Sequence, residues 1–353
     1  MLLYIGAMVL FNGIILGHFI SLGSNFIALF GVIKVIELDV AILIGYIISA
    51  LFTIIGYTKF SSMIIRVVVS SRKATKRELD KIIPLLDEVI SQVNEQYNTN
   101  YKLEKLVIKC NDSLVINAQA LGYNTLIVNR GALDNLTDGQ LKALFAHEIA
   151  HLYFRDSVKT IAIFFGSIAN ILAMMIYVVY MFIAKYIEEL GQFGGRLVAG
   201  IITLVFMFLP MILWFPIILL YGGGIYIFNK LNMLVSRKAE FRADNFSASL
   251  GYKKEMIEVL EVLSNTNITD NSFLARLMAT HPAPMLRIDK LEVEELQPQP
   301  IKSGDNNTKE IIVLTIYFLL IGLLYGILFL KPEYLNSIIV SNKTHISTQS
   351  KHV

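Results

Sequence analysis

Residues 40–58 read VAILIGYIISALFTIIGYT, a stretch without Asp, Glu, Lys or Arg. A bilayer core of about 30 Å is crossed by about 20 apolar residues in a helix, because in lipid the backbone must satisfy its own hydrogen bonds. Four more uncharged runs are long enough to span: residues 1–33, 160–184, 197–229 and 311–330. The chain is therefore predicted to be a multi-span helical membrane protein.

The composition agrees with this prediction. Of the 353 residues, 55% are hydrophobic and only 17% are charged, and the mean hydropathy is +0.59. Soluble domains carry about 25% charged residues. The net charge of +3 is too small to indicate a nucleic-acid binder. The single cysteine, Cys110, excludes an intrachain disulfide framework and a Cys-rich metal site.

Basic residues near the ends of the apolar runs predict the orientation. If the five runs alternate, one side of the membrane receives Lys59, Arg66, Arg72, Lys73, Lys76, Arg77, Lys159, Lys230, Arg237, Lys238, Arg242, Lys302 and Lys309. Positive residues collect on the cytoplasmic side of membrane proteins. We therefore expect a multi-pass protein of the cell inner (cytoplasmic) membrane, with residues 59–159 and 230–310 in the cytoplasm.

The resulting domain plan alternates membrane and aqueous segments. It comprises two transmembrane helices in 1–58, the first half of an aqueous domain in 59–159, two transmembrane helices in 160–229, the second half of that domain in 230–310, a transmembrane helix in 311–330 and a polar tail in 331–353. Periodicity predicts helices at 75–97, 139–156 and 231–264, and strands at 106–109, 113–120 and 125–128. The fold class is thus α+β, with a small, mainly helical aqueous domain around a short three-stranded sheet.

The segment 146–151, AHEIAH, carries the pattern H-E-x-x-H. Four residues advance a helix by slightly more than one turn, so His147 and His151 can both reach one Zn²⁺ at about 2.0–2.1 Å. Glu148 lies beside them and can act as a general base toward water activated by the ion. The alternative is a surface helix with two histidines, but the apolar neighbours of the motif favour a buried site.

A catalytic zinc needs a third protein ligand. The longer pattern that adds a glycine and a third histidine fails, because Phe154 and Ser157 occupy those positions. The best remaining candidates are Glu240 and Asp244 in the segment 236–244, four residues apart on one predicted helix face. One carboxylate could bind the metal while the other orients a histidine. The alternative is a solvated helix face whose basic neighbours pair with both carboxylates.

Three motifs occur in a fixed order: HEIAH at 147–151, EFRAD at 240–244 and HPAPxxRI at 281–288. With membrane spans between the first two, the combination resembles the HtpX-type integral-membrane zinc metallopeptidases, gluzincins related to the CAAX prenyl endopeptidases. The resemblance covers roughly residues 60–290. The fifth run and the tail after residue 310 depart from the four-span arrangement of that family.

The resemblance implies a zincin-like cytoplasmic metalloprotease domain with one Zn²⁺ per chain. His147, His151 and Glu240 would then be the metal ligands, and Glu148 would be the catalytic base. Asp244 would stand outside the ligand set and orient a ligand. Asp156 matches an acidic residue common in the family, and it could either orient a ligand or simply end the helix surface.

Two weaker matches concern the substrate. The segment Asn117, Ala118 and Gln119 resembles the family's edge strand beside the cleft, where an extended substrate could add as a further strand. The alternative is an ordinary strand. His281 and Arg287 could donate to the tetrahedral oxyanion, although His281 could equally be a packing residue.

The expected function is zinc-dependent hydrolysis of peptide bonds in unfolded or membrane proteins, in protein quality control. The alternative within the enzymes is a dedicated processing endopeptidase for one lipidated or membrane peptide. A different class is a transporter or scaffold with a structural metal. The spans carry almost no ionisable residue apart from His18, which argues against a transporter. The expected partners are protein substrates and the lipid bilayer, with no nucleic acid.

Overall fold

The computed structural model describes residues 2–28, 34–69, 71–168, 171, 175, 237–266, 283–293 and 307–330. The chain divides into two compact units: residues 1–54, 165–225 and 308–353 form the first, and residues 55–164 and 226–307 form the second. The span expected at 197–229, most of the one at 160–184, and the polar tail lie outside the described residues. The predicted domain boundaries stay predictions.

The described helices are α1 (Leu2–Ala28), α2 (Leu38–Gly56), α3 (Lys59–Val68), α4 (Lys76–Tyr97), α5 (Arg130–Asn135), α6 (Asp138–Tyr153), α7 (156–168), α8 (237–247), α9 (Lys253–Thr266), α10 (Pro284–Val293) and α11 (Asn307–Phe329). The strands are β1 (Arg72–Lys73), β2 (Val107–Asn111), β3 (Ala118–Leu121) and β4 (Thr125–Asn129). This mostly helical architecture with a small sheet confirms the predicted fold class.

Within the first unit, three described helices are long and apolar enough to cross a membrane. Their apolar windows are Tyr4–Ser21 in α1, Leu38–Gly56 in α2 and Ile311–Phe329 in α11. The backbones of α1 and α2 approach closely at Gly17, where an added Cβ would collide with the backbone of Ile42. Small residues at such crossings permit the close packing that holds helices together in lipid.

The second unit contains a sheet with the strand order β1-β2-β4-β3. β2 and β4 are parallel, and the other two pairs are antiparallel. Since β3 is last in the strand order, it is an edge strand of the sheet formed by the described residues. The structure adds β1 to the three strands expected from the sequence. A two-residue strand has no alternating pattern to detect, and it exists only through pairing of Arg72 with Cys110 and Lys73 with Lys109.

The edge strand β3 begins later than its apolar pattern predicts, at Ala118 rather than at residue 113. The Asn111 side chain accepts a hydrogen bond from the Ser113 backbone at 3.0 Å and turns the chain away from the sheet. This is an Asx turn, which competes with strand pairing. Leu114 and Val115 consequently lie exposed in a loop.

The core of the second unit surrounds α6. The helix begins at a capping box in which Thr137 and Gln140 bond to each other's backbone N–H groups. It packs against α4, α9 and β3. Phe145 and Ile149 are fully buried, and the whole segment Leu141–Ala150 apart from Lys142 is buried. Any polar side chain on this part of α6 therefore sits in the protein interior, where it needs a partner.

Candidate metal centre

The two histidines of α6 face each other across one helical turn. Their Nε2 atoms are 3.2 Å apart. His147 is only 3% exposed, and its ring meets that of His151 edge to face. Convergence of the nitrogens of a buried and a largely buried imidazole is costly unless a proton or a cation lies between them.

Glu240 reaches the same point from α8. This helix buries the face formed by Glu240, Ala243, Asp244 and Ser247, which has helical spacing. The Glu240 carboxylate lies 3.4 Å from His147 Nε2 through Oε2 and 3.5 Å from His151 Nε2 through Oε1. The three side chains thus place one donor atom each within 4.8 Å of one another, an arrangement that could hold a metal ion.

The donor spacing tests which ion this site fits. In a tetrahedron whose ligands lie about 2.0–2.1 Å from zinc, neighbouring ligand atoms are about 3.3 Å apart. The 3.2 Å between the Nε2 atoms of His147 and His151 agrees with that edge length, and each Nε2 has a different oxygen of Glu240 within 3.5 Å. Two imidazoles and a carboxylate are also a donor set that catalytic zinc sites use. The residues present therefore fit an ion of this size and geometry.

The second ring nitrogen of His147 is held by Asp244. Nδ1 lies 2.9 Å from Asp244 Oδ1. Arg287 donates to both oxygens of Asp244, at 2.7 Å from Nε and 2.5 Å from Nη2, and its Nη1 lies 3.2 Å from Glu240 Oε2. All of these groups are buried. A carboxylate on Nδ1 keeps the proton there, so that Nε2 can act as a ligand.

The second ring nitrogen of His151 has its own aspartate. Nδ1 lies 3.4 Å from Asp156 Oδ2. Arg242 donates through Nη2 to both oxygens of Asp156, at 2.7 and 2.6 Å, and its guanidinium stacks over the Phe154 ring at 4.1 Å. The linked side chains of Arg242, Asp156 and His151 repeat the chemistry of the set Arg287–Asp244–His147, but they are more exposed to solvent.

A break after α6 makes the contact of Asp156 possible. The sequence predicts one helix over 139–156, but α6 ends at Tyr153 and Arg155 takes a left-handed conformation with φ 58°. In a continuous helix a residue five positions further on would point about 140° away from His151. The break therefore turns the Asp156 carboxylate back toward the imidazole.

The electrostatics of the site favour a cation. Burial alone would lower the pKa of His147, but the carboxylates of Asp244 and Glu240 outweigh it and raise this pKa to about 10. Burial would raise the pKa of Asp244, but Arg287 and His147 lower it. The pKa of Asp156 is likewise lowered despite burial, by His151 and by two basic side chains. The carboxylates of Asp244 and Asp156 are therefore ionised near neutral pH and attract positive charge to the imidazoles.

Glu148 is anchored to the edge of the sheet. Its Oε2 accepts a hydrogen bond from the Ala120 backbone N–H at 2.6 Å, and Ser157 Oγ donates to the Ala120 carbonyl at 2.9 Å. The backbone groups of Ala120 thus point away from β4. Because outward groups alternate along an antiparallel edge strand, those of Ala118 point outward as well.

The structure brings most of the predicted site residues together. His147, His151 and Glu240 converge, Asp244 and Asp156 each contact a histidine, and Asn117, Ala118 and Gln119 lie on the stretch that leads into β3 and along it. Arg287 is bound to Asp244, and its expected contact with an oxyanion stays a prediction. His281 lies outside the described residues.

Sequence reasoning missed two contacts. The Ala120 N–H that holds Glu148 has no side-chain signature, although strand alternation could have indicated an outward-facing group. In the alternative of a solvated helix face, Arg242 is one of the basic neighbours that pair with carboxylates of its own helix. Its partner is Asp156, which the sequence alone could not place.

A helix bearing H-E-x-x-H and facing a glutamate from a second helix has the form of a metalloprotease centre. The chain matches peptidase family M48 over residues 84–295. It therefore belongs to peptidase family M48.

Curated relatives agree with this assignment. The chain is 31% identical over 191 residues to "Protease HtpX" of Haemophilus influenzae (strain PittEE), a match that covers 50% of this chain and 62% of the relative. It is 26% identical over 290 residues to "Protease HtpX homolog" of Helicobacter acinonychis (strain Sheeba), covering 75% of this chain and 84% of that protein. The chain thus matches less than two thirds of the length of the first relative.

A solved structure is also similar. The crystal structure of S. mikatae Ste24p aligns with a TM-score of 0.40 and 16% sequence identity, covering 77% of this chain and 61% of that one.

Proposed function

We propose that this chain is a membrane-embedded, zinc-dependent endopeptidase. It hydrolyses peptide bonds of membrane or membrane-associated proteins, in protein quality control. The observation that carries the proposal is the convergence of His147, His151 and Glu240 next to Glu148 on the same buried helix. Membership of a peptidase family and the word protease in the relatives' names support it.

One Zn²⁺ per chain would be held by the Nε2 atoms of His147 and His151 and by the Glu240 carboxylate. When bound, zinc supplies a Lewis acid that polarises a carbonyl and lowers the pKa of a coordinated water. Asp244 and Asp156 keep each imidazole in the tautomer and orientation that leave Nε2 available.

Glu148 is the proposed general base. It takes a proton from the attacking water and returns it to the leaving amine. The hydrogen bond from the Ala120 N–H fixes one carboxylate oxygen, which limits the positions of the other. This link also ties the base to β3, the strand on which we place the substrate.

The substrate is proposed to bind as an extended segment along β3. The N–H and C=O groups of Ala118 point outward and can pair with such a segment, while the flanking Asn117 and Gln119 side chains are exposed. His281 and Arg287 are proposed as donors to the tetrahedral oxyanion. The position of the Arg287 guanidinium beside Glu240 supports the second assignment, and the first rests on the HPAP motif alone.

The proposed location is the inner membrane, with the catalytic unit in the cytoplasm. The support is the collection of basic residues that flank the apolar runs on one side. Labelling of an engineered cysteine at exposed Glu95 in intact cells tests this orientation. We expect a membrane-impermeant reagent to react only after the cells are opened, and reaction in intact cells would contradict it.

The central test is digestion of an unfolded membrane protein by the purified chain, with and without a chelator. Cleavage should stop on chelation and return with zinc. Glu148→Gln should keep its zinc and lose activity by at least about 10²-fold, because general-base catalysis contributes that much. Glu95→Gln, on the exposed surface of α4, serves as the matched control.

Zinc dependence and the role of Glu148 can each be contradicted by a separate result. Digestion that resists the chelator would exclude zinc chemistry. Full activity in Glu148→Gln would exclude this residue as the base, while loss of zinc from the same variant would show that Glu148 supports the metal site itself.

A further inference from the structure

The short helix α3 leaves an apolar face exposed. At 100° per residue, Phe60, Met63, Ile64, Val67 and Val68 fall within an arc of about 140°. The exposed fractions of Phe60 and Met63 are 59% and 61%, and those of Val67 and Val68 reach 82% and 73%. Contiguous apolar exposure of this kind marks a surface that something covers.

The polar face of α3 packs against the protein instead. Ser62 is 2% exposed and lies against Gly122, where an added Cβ would collide with its side chain. Arg66 donates to Asn124 Oδ1 at 3.3 Å, and Lys109 Nζ donates to the Arg66 carbonyl at 3.0 Å. A helix on a water-facing surface buries its apolar stripe and exposes its polar one. The reversed arrangement indicates that the medium outside α3 is apolar.

The position of α3 in the chain identifies this medium. The apolar helix α2 ends at Gly56 and α3 begins at Lys59, so that only Tyr57 and Thr58 lie between them. Three peptide steps reach at most about 11 Å. Whatever the angle between the two helices, Lys59 at the start of α3 stays within that distance of the end of α2, a segment long and apolar enough to cross a membrane.

The charge around α3 fits an anionic surface. Residues 59–77 contain six basic side chains and no acidic one. Of these, Lys59, Lys73, Lys76 and Arg77 are exposed. Clusters of basic residues next to a membrane span bind the anionic headgroups of phospholipids.

We propose that α3 lies in the interface of an anionic phospholipid bilayer. Its apolar face inserts among the acyl chains close to the headgroups, and Lys59 and its basic neighbours contact the headgroups. Because the polar face of α3 holds Gly122 and Asn124, the turn between β3 and β4 is fixed beside the bilayer as well. This assignment does not depend on the proposed peptidase activity.

Depth-dependent quenching in the full-length chain tests the proposal. Met63→Cys and Val67→Cys are each labelled with an environment-sensitive fluorophore, and Glu95→Cys provides the exposed control. The only native cysteine, Cys110, is buried, and burial raises its pKa to about 12, so the unsubstituted chain serves as the blank for labelling. The proteins are reconstituted in vesicles of phosphatidylcholine and phosphatidylglycerol.

We expect nitroxide-bearing lipid to quench the labels at 63 and 67 several-fold more than aqueous iodide does. At position 95 the order should be reversed. Quenching of 63 and 67 by iodide, as at 95, would overturn the proposal because the face would then be in water. Resistance to both quenchers would overturn it too, because a protein, either a second copy or another partner, would then cover the face. Phe60→Cys provides a third position on the same arc if either label perturbs folding.

Discussion

The second ring nitrogen of each metal-centre histidine lies next to its own aspartate, and each aspartate is held by its own arginine. These two sets of hydrogen-bonded side chains differ in their exposure to solvent. Asp244 and Arg287 have side chains 1% and 6% exposed, whereas those of Asp156 and Arg242 are 17% and 31% exposed. The buried set Arg287–Asp244–His147 is therefore needed for a stable fold, because loss of one partner would leave an unpaired charge in the interior. The more exposed set Arg242–Asp156–His151 can be altered with less effect on the stability of the fold.

The substitution Asp156→Asn tests whether Asp156 orients His151 for metal binding. Zinc affinity should fall about 10–100-fold, because the carboxylate that orients His151 is lost. The free energy of unfolding without metal should change by less than about 1 kcal/mol, since the ion pair with Arg242 is partly exposed. Competition with a chromogenic chelator measures the affinity.

The control for this prediction is Asp87→Asn, an exposed acidic residue on α4. It should leave zinc affinity unchanged. Equal affinities in the two variants would mean that Asp156 does not orient His151 in solution.

Among the site residues, the sequence predicted those relative positions that depend on local spacing. His147 and His151 are one turn apart in any helix, and Glu240 and Asp244 share a face for the same reason. The contact of Asp156 with His151 depends on a helix break that no glycine or proline marks. The hydrogen bond from Ala120 to Glu148 depends on where a helix meets a sheet, which is a tertiary property.

The break between α6 and α7 carries conformational strain at Arg155. Arg155→Asn and Arg155→Val form a matched pair, because both remove the same side chain. Asn tolerates φ near 58°, whereas a β-branched residue does not. The Val variant should be less stable than the Asn variant by about 1–2 kcal/mol and should hold zinc more weakly. Thermal unfolding measures the difference in stability, and metal content measures the difference in zinc binding. Equal stability and zinc content in the Asn and Val variants would argue against a left-handed conformation at residue 155.

The start of α4 predicts a pH dependence. Glu78 closes a capping box with Thr75 and pairs with Arg72, and chiefly the hydrogen bonds from Arg72 lower its pKa from 4.5 to about 2. A lowered folded-state pKa gives stability that is present above the unfolded-state pKa and is lost as the pH falls toward the folded-state pKa. Glu78→Gln should therefore reduce the free energy of unfolding by about 1–2 kcal/mol at pH 7.

The difference between Glu78→Gln and the unsubstituted chain should shrink between pH 4.5 and pH 2. Metal-free protein is used in both cases, so that release of zinc at acid pH does not contribute to the difference. A constant difference over this range would show that the effect of Glu78 is not electrostatic.

The helices and strands were predictable to different degrees. The three described apolar helices α1, α2 and α11, and α4, follow from composition and period within one segment, so their positions agree with the sequence to within a few residues. β1 and the late start of β3 could not be predicted in this way. Strand β1 depends on pairing with the distant strand β2. The start of β3 depends on an Asx turn that overrides an apolar pattern.

In the chain as a whole, the proposed metal ligands come from segments on either side of residues 160–229. A metal that binds only the folded arrangement stabilises it by mass action, by about 2.7 kcal/mol at 100 times the dissociation constant. Zinc should therefore raise the thermal unfolding midpoint of the unsubstituted chain. His147→Ala should abolish this increase, and an increase of the same size in that variant would place the zinc elsewhere.

The order of the ligands along the chain also has a consequence for biosynthesis. The ribosome makes both histidines before the apolar runs at 160–184 and 197–229, and it makes Glu240 only after them. With this set of ligands, a half-synthesised chain has no complete metal site and can cut neither itself nor the proteins inserting beside it.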